Sequence, residues 1–215
     1  MSEWSTYALA DLLMFSARTY YRLIELYNLA IWPLHLLAAA AGLLMVLCAL
    51  RGDRGRVAAV VLGLCWLWVA WAFHAERYAT INSAAQYFAA GFAIQGGLLI
   101  FAGRLSPARD PVGIGLLLLA LLGYPLLALI GGRPWQQAEM FGIAPDPTVA
   151  VTLVLLAFCA RAHWALWPVP LLWSAITGAT LWTMHVRDAW VLPLLALLAL
   201  LQLIRRTRPR RGQGY

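Results

Sequence analysis

The chain has 215 residues, of which 63% are hydrophobic and 12% charged, with a mean hydropathy of +0.74. A soluble domain carries about 25% charged residues, so an ordinary soluble domain is excluded. The net charge of +7 comes from 16 arginines with no lysine, which excludes a retinal or pyridoxal Schiff base, a lysine nucleophile and the P-loop lysine.

Residues 1–26 read as a distinct segment. Asp11, Phe15, Arg18, Arg22 and Glu25 recur at heptad-like steps, so four charges share one helical face, with Leu12, Leu13, Tyr20, Leu23 and Ile24 on the remainder. This predicts an amphipathic helix lying in a membrane interface, or alternatively an arm packed on a neighbouring subunit. The start, MSEWSTYALADLL, lacks a basic region before a short apolar core, so a cleaved signal peptide is not expected.

Seven apolar runs follow, near 27–50, 57–75, 82–103, 111–131, 147–162, 168–185 and 189–204. A spanning helix needs roughly 20 apolar residues, so the fifth and seventh runs are short, and Arg161 and Arg205 are expected to extend them by snorkelling. Pro33, Pro125 and Pro193 fall within runs, where neighbouring helices re-satisfy the freed carbonyls. Small residues recur at four-residue steps in Ala38 and Gly42, in Ala89, Ala93 and Gly97, and in Ser174 and Gly178. Such stripes let helices approach closely, which predicts that these faces point inward.

The arginines alternate between connections. Arg51, Arg54, Arg56, Arg104, Arg109, Arg161, Arg205, Arg206, Arg208, Arg210 and Arg211 fall on one side, and Arg18, Arg22, Arg77, Arg133 and Arg187 on the other. With the acids included, the first side carries 11 − 2 = +9 and the second 5 − 7 = −2. Cytoplasmic loops carry the Lys/Arg excess. The expectation is an all-α membrane protein of about seven transmembrane helices, with Trp4 outside, Tyr215 in the cytoplasm and 205–215 forming a basic tail. The RRTRPRR tail reads as a topology anchor facing anionic lipid, so no nucleic-acid partner is expected.

The longest connection, GGRPWQQAEMFGIAPDP from Gly131 to Pro147, mixes turn residues with Trp135, Met140 and Phe141. It reads either as a cap folded onto the bundle, with Phe141 buried against the outer ends of the second, third or sixth run, or as a loop dipping its aromatics into lipid. Asp146, between Pro145 and Pro147, is the expected N-cap of the fifth run. Cys48, Cys65 and Cys159 lie in or at the inner ends of apolar runs and read as buried, inert thiols.

Ionisable and amide side chains inside apolar runs are the default candidates for function. His35 lies within the first run and Gln95 near the middle of the third. His74, Asn82 and His185 lie at run ends, beside Asp146 and Asp188. Histidine with carboxylate suits a divalent cation, a proton relay or a quinol headgroup, and His74 with His185 would be the metal ligands. His74 and Asn82 are expected to point inward and share hydrogen bonds, with Asp188 or Asp146 as the acidic neighbour. The plain alternative is interfacial histidines and a Gln95 bonded to a neighbouring helix. No metal or hydrolase motif focuses the cluster, and no cofactor is expected.

The stretches YNLAIWPLHLL, WLWVAWAFHAERYATINSAAQYF, MFGIAPDPTVAVTLVLL and VPLLWSAITGATLW together resemble an uncharacterised family of small bacterial membrane proteins, of the domain-of-unknown-function kind. The resemblance covers nearly the whole chain after residue 26 and rests on Tyr27, Asn28, Trp32, Pro33, His74, Asn82, Phe141, Gly142, Pro145, Pro147, Trp173 and Asp188. His35 departs from it, because glutamine is the family's usual residue there. The resemblance implies a polytopic inner-membrane protein; some relatives carry a permease label, and no activity transfers with it. Three classes follow: a small permease or ion-binding protein with a polar site on its outer face, an accessory subunit among other membrane subunits, and, last, a membrane enzyme.

Overall fold

The computed structural model describes residues 15–52, 54–105, 110–159 and 163–207. Residues 1–14 with Trp4 and Asp11, Arg109, Arg161, and the tail from 208 to Tyr215 lie outside the described residues. The fold is all-helical, and no β-strand occurs among the described residues. Among the described residues eight α-helices follow one another: α1 (Ala17–Ala30), α2 (Leu34–Arg51), α3 (Gly55–Trp68), α4 (Ala85–Ala102), α5 (Pro111–Ile130), α6 (Pro145–Phe158), α7 (Pro168–Thr183) and α8 (Val191–Thr207). Among the described residues, four stretches are long and apolar enough to cross a membrane: Leu34–Arg51, Gly55–Thr80, Ala85–Ala102 and Pro111–Ile130.

Six of the seven apolar runs coincide with one helix each. The first begins later than its sequence suggests, because Tyr27–Ala30 complete α1 and the chain breaks at Ile31–Pro33 before α2. The expected boundary at residue 26 therefore falls inside α1, and His35 is the second residue of α2 rather than a group deep within a span. α1 has the two-faced character its sequence predicts. Tyr20, Tyr21, Ile24 and Tyr27 are buried, while Arg18, Thr19 and Arg22 are exposed. Its buried face packs on this chain's own 131–144 connection. This is the capped end of the bundle.

α3 and α4 form the closest pair. A Cβ built on Gly63 would lie 2.8 Å from the Gly96 carbonyl oxygen, and one on Gly96 would lie 2.9 Å from the Gly63 carbonyl oxygen. Backbones touch there because neither residue has a side chain. The small-residue expectation holds for Ala38 and Gly42 and for Ser174 and Gly178. It fails on α4. Ala93 is exposed and a Cβ on Gly97 would meet nothing within 4 Å, so the inward face passes through Phe92, Gln95, Gly96 and Leu99 instead.

α6 is the centre of the bundle. All fourteen of its residues are buried, against α3, α5, α7 and α8. A helix apolar on every side belongs in such a position. Fourteen residues make about 21 Å of helix, short of the ~30 Å hydrocarbon core. The preceding connection packs between the same helices, ahead of α6. Phe141 is buried beside Gly42, the ninth residue of α2, and a Cβ on Gly142 would lie 3.1 Å from Cys65 Sγ in α3. Eight steps along α2 place this loop roughly 12 Å below the start of that helix. The 131–144 segment is therefore a cap that descends between the helices. Phe141 is buried, but against the middle of α2 rather than at helix ends. Trp135 stays exposed. Gly142 has φ +82°, a left-handed conformation that a side chain would strain.

Candidate functional site

Two carboxylates sit inside the capped end. Glu139, on the descending loop, is 8% exposed, and Asp146, in the first turn of α6, is 2% exposed. Asp146 is not the N-cap that its flanking prolines suggest. Ala144 holds that position, and Thr148 closes the turn by accepting from Gly142 N at 2.9 Å and donating to the Ala144 carbonyl at 2.7 Å. The Asp146 side chain is thereby free to face α7. Trp173 Nε1 donates to its Oδ1 at 2.7 Å and Thr177 Oγ1 to its Oδ2 at 3.0 Å. Both donors are neutral, and no arginine is paired with Asp146 among the described residues.

Glu139 accepts from Tyr20 Oη at 3.1 Å. Burial pushes its carboxyl well above the usual carboxylate range; the negative charge of Asp146 adds to this and Arg133 opposes it. The nearest ion pair is Arg133 with Asp188, at 3.0 Å, and the Arg133 guanidinium also lies 3.7 Å from the centroid of the Tyr21 ring, within cation–π range. α1 closes the site from above. Tyr27 Oη donates to the Ile143 carbonyl at 3.0 Å, Asn28 Nδ2 to the Gln136 and Ala138 carbonyls at 2.8 and 2.9 Å, and Gln137 Nε2 to Glu25 at 3.1 Å.

His74 lies beside this pair, across one indole. α3 continues as a π-helix over Val69–Ala75, a widened turn often found at functional positions. It brings Ala72, Phe73 and His74 together into the interior. The imidazole centroid is 4.4 Å from Phe92, 4.9 Å from Trp173, 5.9 Å from Tyr78 and 6.1 Å from Phe88. Both ring nitrogens are fully enclosed and have no hydrogen-bond partner among the described residues. The expected His74–Asn82 hydrogen bond is therefore not formed. Asn82 is half-buried and its Oδ1 accepts from Ala84 N at 2.9 Å, opening the turn into α4.

The remaining candidates are dispersed. Gln95 is wholly buried and its Nε2 donates to the Leu166 carbonyl at 3.0 Å, leaving Oε1 without a partner. His35 packs against Trp32 at 5.9 Å. His185 is exposed, with φ +56°, at the end of α7. The histidine pair expected to bind a metal thus places one imidazole in an aromatic cage and the other at the surface. Among the described residues no three His, Cys, Asp or Glu side chains gather as a metal site. Sequence reasoning joined His74 and Asp146 but missed Glu139, Thr177 and Tyr20. The available signal was a lone carboxylate in AEMFGIAP, where every flanking residue is small or apolar.

No curated protein and no solved structure matches this chain. A family profile does match, over residues 17–213, a range that takes in α1, the descending loop and both buried carboxylates. On that match the chain belongs to the family of unknown function DUF6064.

Proposed function

We propose that this chain is a multi-pass protein of a bacterial cytoplasmic (inner) membrane. It crosses seven times, with α1 on the outer surface, and takes up a proton or small monovalent cation at Asp146 and Glu139 as a small permease. The observation that carries this reading is Asp146. It is buried at the start of a fourteen-residue helix and held by two neutral donors. A charged carboxylate in such surroundings is costly unless it is protonated or neutralised by a cation. Broken helices whose ends lie at membrane depth are a recurring way to build transporter ion sites. His74, across the Trp173 ring, supplies an unengaged donor and acceptor. The arginine segregation supports the orientation, and exposed Trp32, Trp71, Tyr87, Trp182 and Trp190 at the capped end fit an interfacial belt.

The test is flux. Proteoliposomes loaded with a pH-sensitive dye and given a Na⁺ or K⁺ gradient are expected to move protons, and Asp146→Asn to abolish the movement. No movement under either gradient, or unchanged movement in the variant, overturns the reading.

A second reading, an accessory subunit of a larger membrane complex, is favoured by the packing around His74. Aromatic rings fill the surround, and the cavity beside Tyr20, Tyr78 and Trp173 holds only about 10 Å³. Its test is isolation from native membranes. Stoichiometric partners, together with silent proteoliposomes, would establish it over the permease.

A further inference from the structure

Outside the carboxylate site, two cavities flank one wall at the capped end. The first, of about 460 Å³, is lined by Arg18, Arg22 and Arg77 together with one carboxylate, Glu76. Arg22 is paired with Glu25. Arg18 and Arg77 have no carboxylate partner among the described residues. The second is a groove of about 680 Å³ between α2 and α3, floored by Gly142 and Ile143 of the descending loop. No charged side chain lines it, and its walls run from Leu34 to Leu44 on α2 and from Val61 to Trp71 on α3.

The two cavities adjoin. Leu26 lines the first, and its neighbour Tyr27 accepts from Trp68 Nε1 of the second at 3.0 Å. Trp71 closes the groove at the capped end, and Glu76 N, from the first cavity, donates to the Trp71 carbonyl at 3.1 Å. Arg77 therefore follows the residue that bonds the mouth of the groove, and Arg18 lines the same pocket eight residues along α1 from Leu26. Ten helical steps on each wall give a groove about 15 Å long. That is the depth of one bilayer leaflet, half of the ~30 Å hydrocarbon core.

A cationic pocket set over a leaflet-deep apolar groove has the shape and polarity of one phospholipid. We infer that this wall holds an anionic glycerophospholipid, its phosphate between Arg18 and Arg77 and one acyl chain between α2 and α3. The inference rests on the membrane placement proposed above, but not on the cation site, so silent proteoliposomes would leave it standing.

The experiment uses the full chain, stripped of lipid in detergent and titrated with phosphatidylglycerol, phosphatidylcholine or soluble glycerol 3-phosphate. Native mass spectrometry counts bound molecules. Phosphatidylglycerol is expected to bind one per chain, ahead of phosphatidylcholine. Each arginine near a membrane surface adds roughly fivefold to anionic-lipid binding, so Arg18→Gln with Arg77→Gln should weaken it about 30-fold. Ala41→Phe, which fills the groove from a half-buried position, should lower retention while leaving the arginines in place. Both sites lie outside the core, and helicity by circular dichroism checks folding. Unchanged binding in either variant overturns the assignment. Equal binding of glycerol 3-phosphate shows a soluble phosphate ligand and overturns the lipid. A dimer that Ala41→Phe dissociates shows a second copy in the groove and overturns it too.

Discussion

Gly96 and Gly97 are adjacent, and they make opposite predictions. A Cβ at Gly96 would lie 2.9 Å from the Gly63 carbonyl oxygen and 2.9 Å from Leu67 Cγ, whereas one at Gly97 would meet nothing within 4 Å. The Leu67 side chain can yield, but the Gly63 backbone cannot without moving α3. Overpacking of this kind costs about 1–3 kcal/mol. Replacing glycine by alanine in a helix interior also gains about 1 kcal/mol. That gain is common to both sites and cancels in the difference. Gly96→Ala should therefore be about 1–3 kcal/mol less stable than Gly97→Ala, which itself should match or exceed the parent. The assay is reversible unfolding in mixed micelles, followed by helicity. Equal stability of the two variants, or a Gly97→Ala that is the weaker, would refute the α3–α4 crossing described here.

Further predictions concern the capped end. Trp173→Phe removes the 2.7 Å donor to Asp146 while keeping an aromatic ring beside His74. A hydrogen bond to a charged group is worth about 1.5–3 kcal/mol, and a loss of that size in unfolding free energy is expected; no loss would mean that Asp146 is not held there. Phe141→Ala empties a buried position on the descending loop and should cost about 3–5 kcal/mol, against a negligible change if the side chain faces solvent. Glu139 has its carboxyl raised in the folded state, so folding binds a proton. Its contribution to stability is full below the ordinary carboxylate range and is lost as pH rises through the raised value. Melting temperature should thus fall from pH 4 towards alkaline pH, and Glu139→Gln should flatten that slope; a parent profile that rises with pH contradicts the burial. A C-terminal reporter active only in the cytoplasm should be active, and silence would invert the topology.

Most of the helices were legible because each is a long apolar run set off by Pro, Gly or Arg at its ends. The inward faces were not. α4 is apolar on nearly every side, so its residues carry no asymmetry to separate Gly96 from Gly97. The depth of the 131–144 loop was equally hidden, because Phe141 and Ile143 read the same whether they enter protein or lipid. The site was half legible. His74 was picked out by its place in an apolar run and is buried, but its partners are rings, not the amide of Asn82. His35 was misplaced because the turn at Ile31–Pro33, which ends α1 before α2 begins, lies inside what reads as one continuous run. Asp146 was misassigned because Thr148, three residues into the helix, closes the turn that an N-cap aspartate would have closed.

The shortness of α6 has a consequence for how the protein is made. In the membrane placement proposed above, a segment of about 21 Å with an aspartate in its first turn is a poor substrate for one-step insertion, which works on stretches of roughly 20 apolar residues. α5 and α7 would enter the bilayer first, and α6 would follow once they could shield Asp146 and receive the Pro145–Phe158 rod between them. The centre of the mature bundle would then be the last piece laid down, and a chain halted before α7 would leave that centre without the Trp173 and Thr177 that hold it.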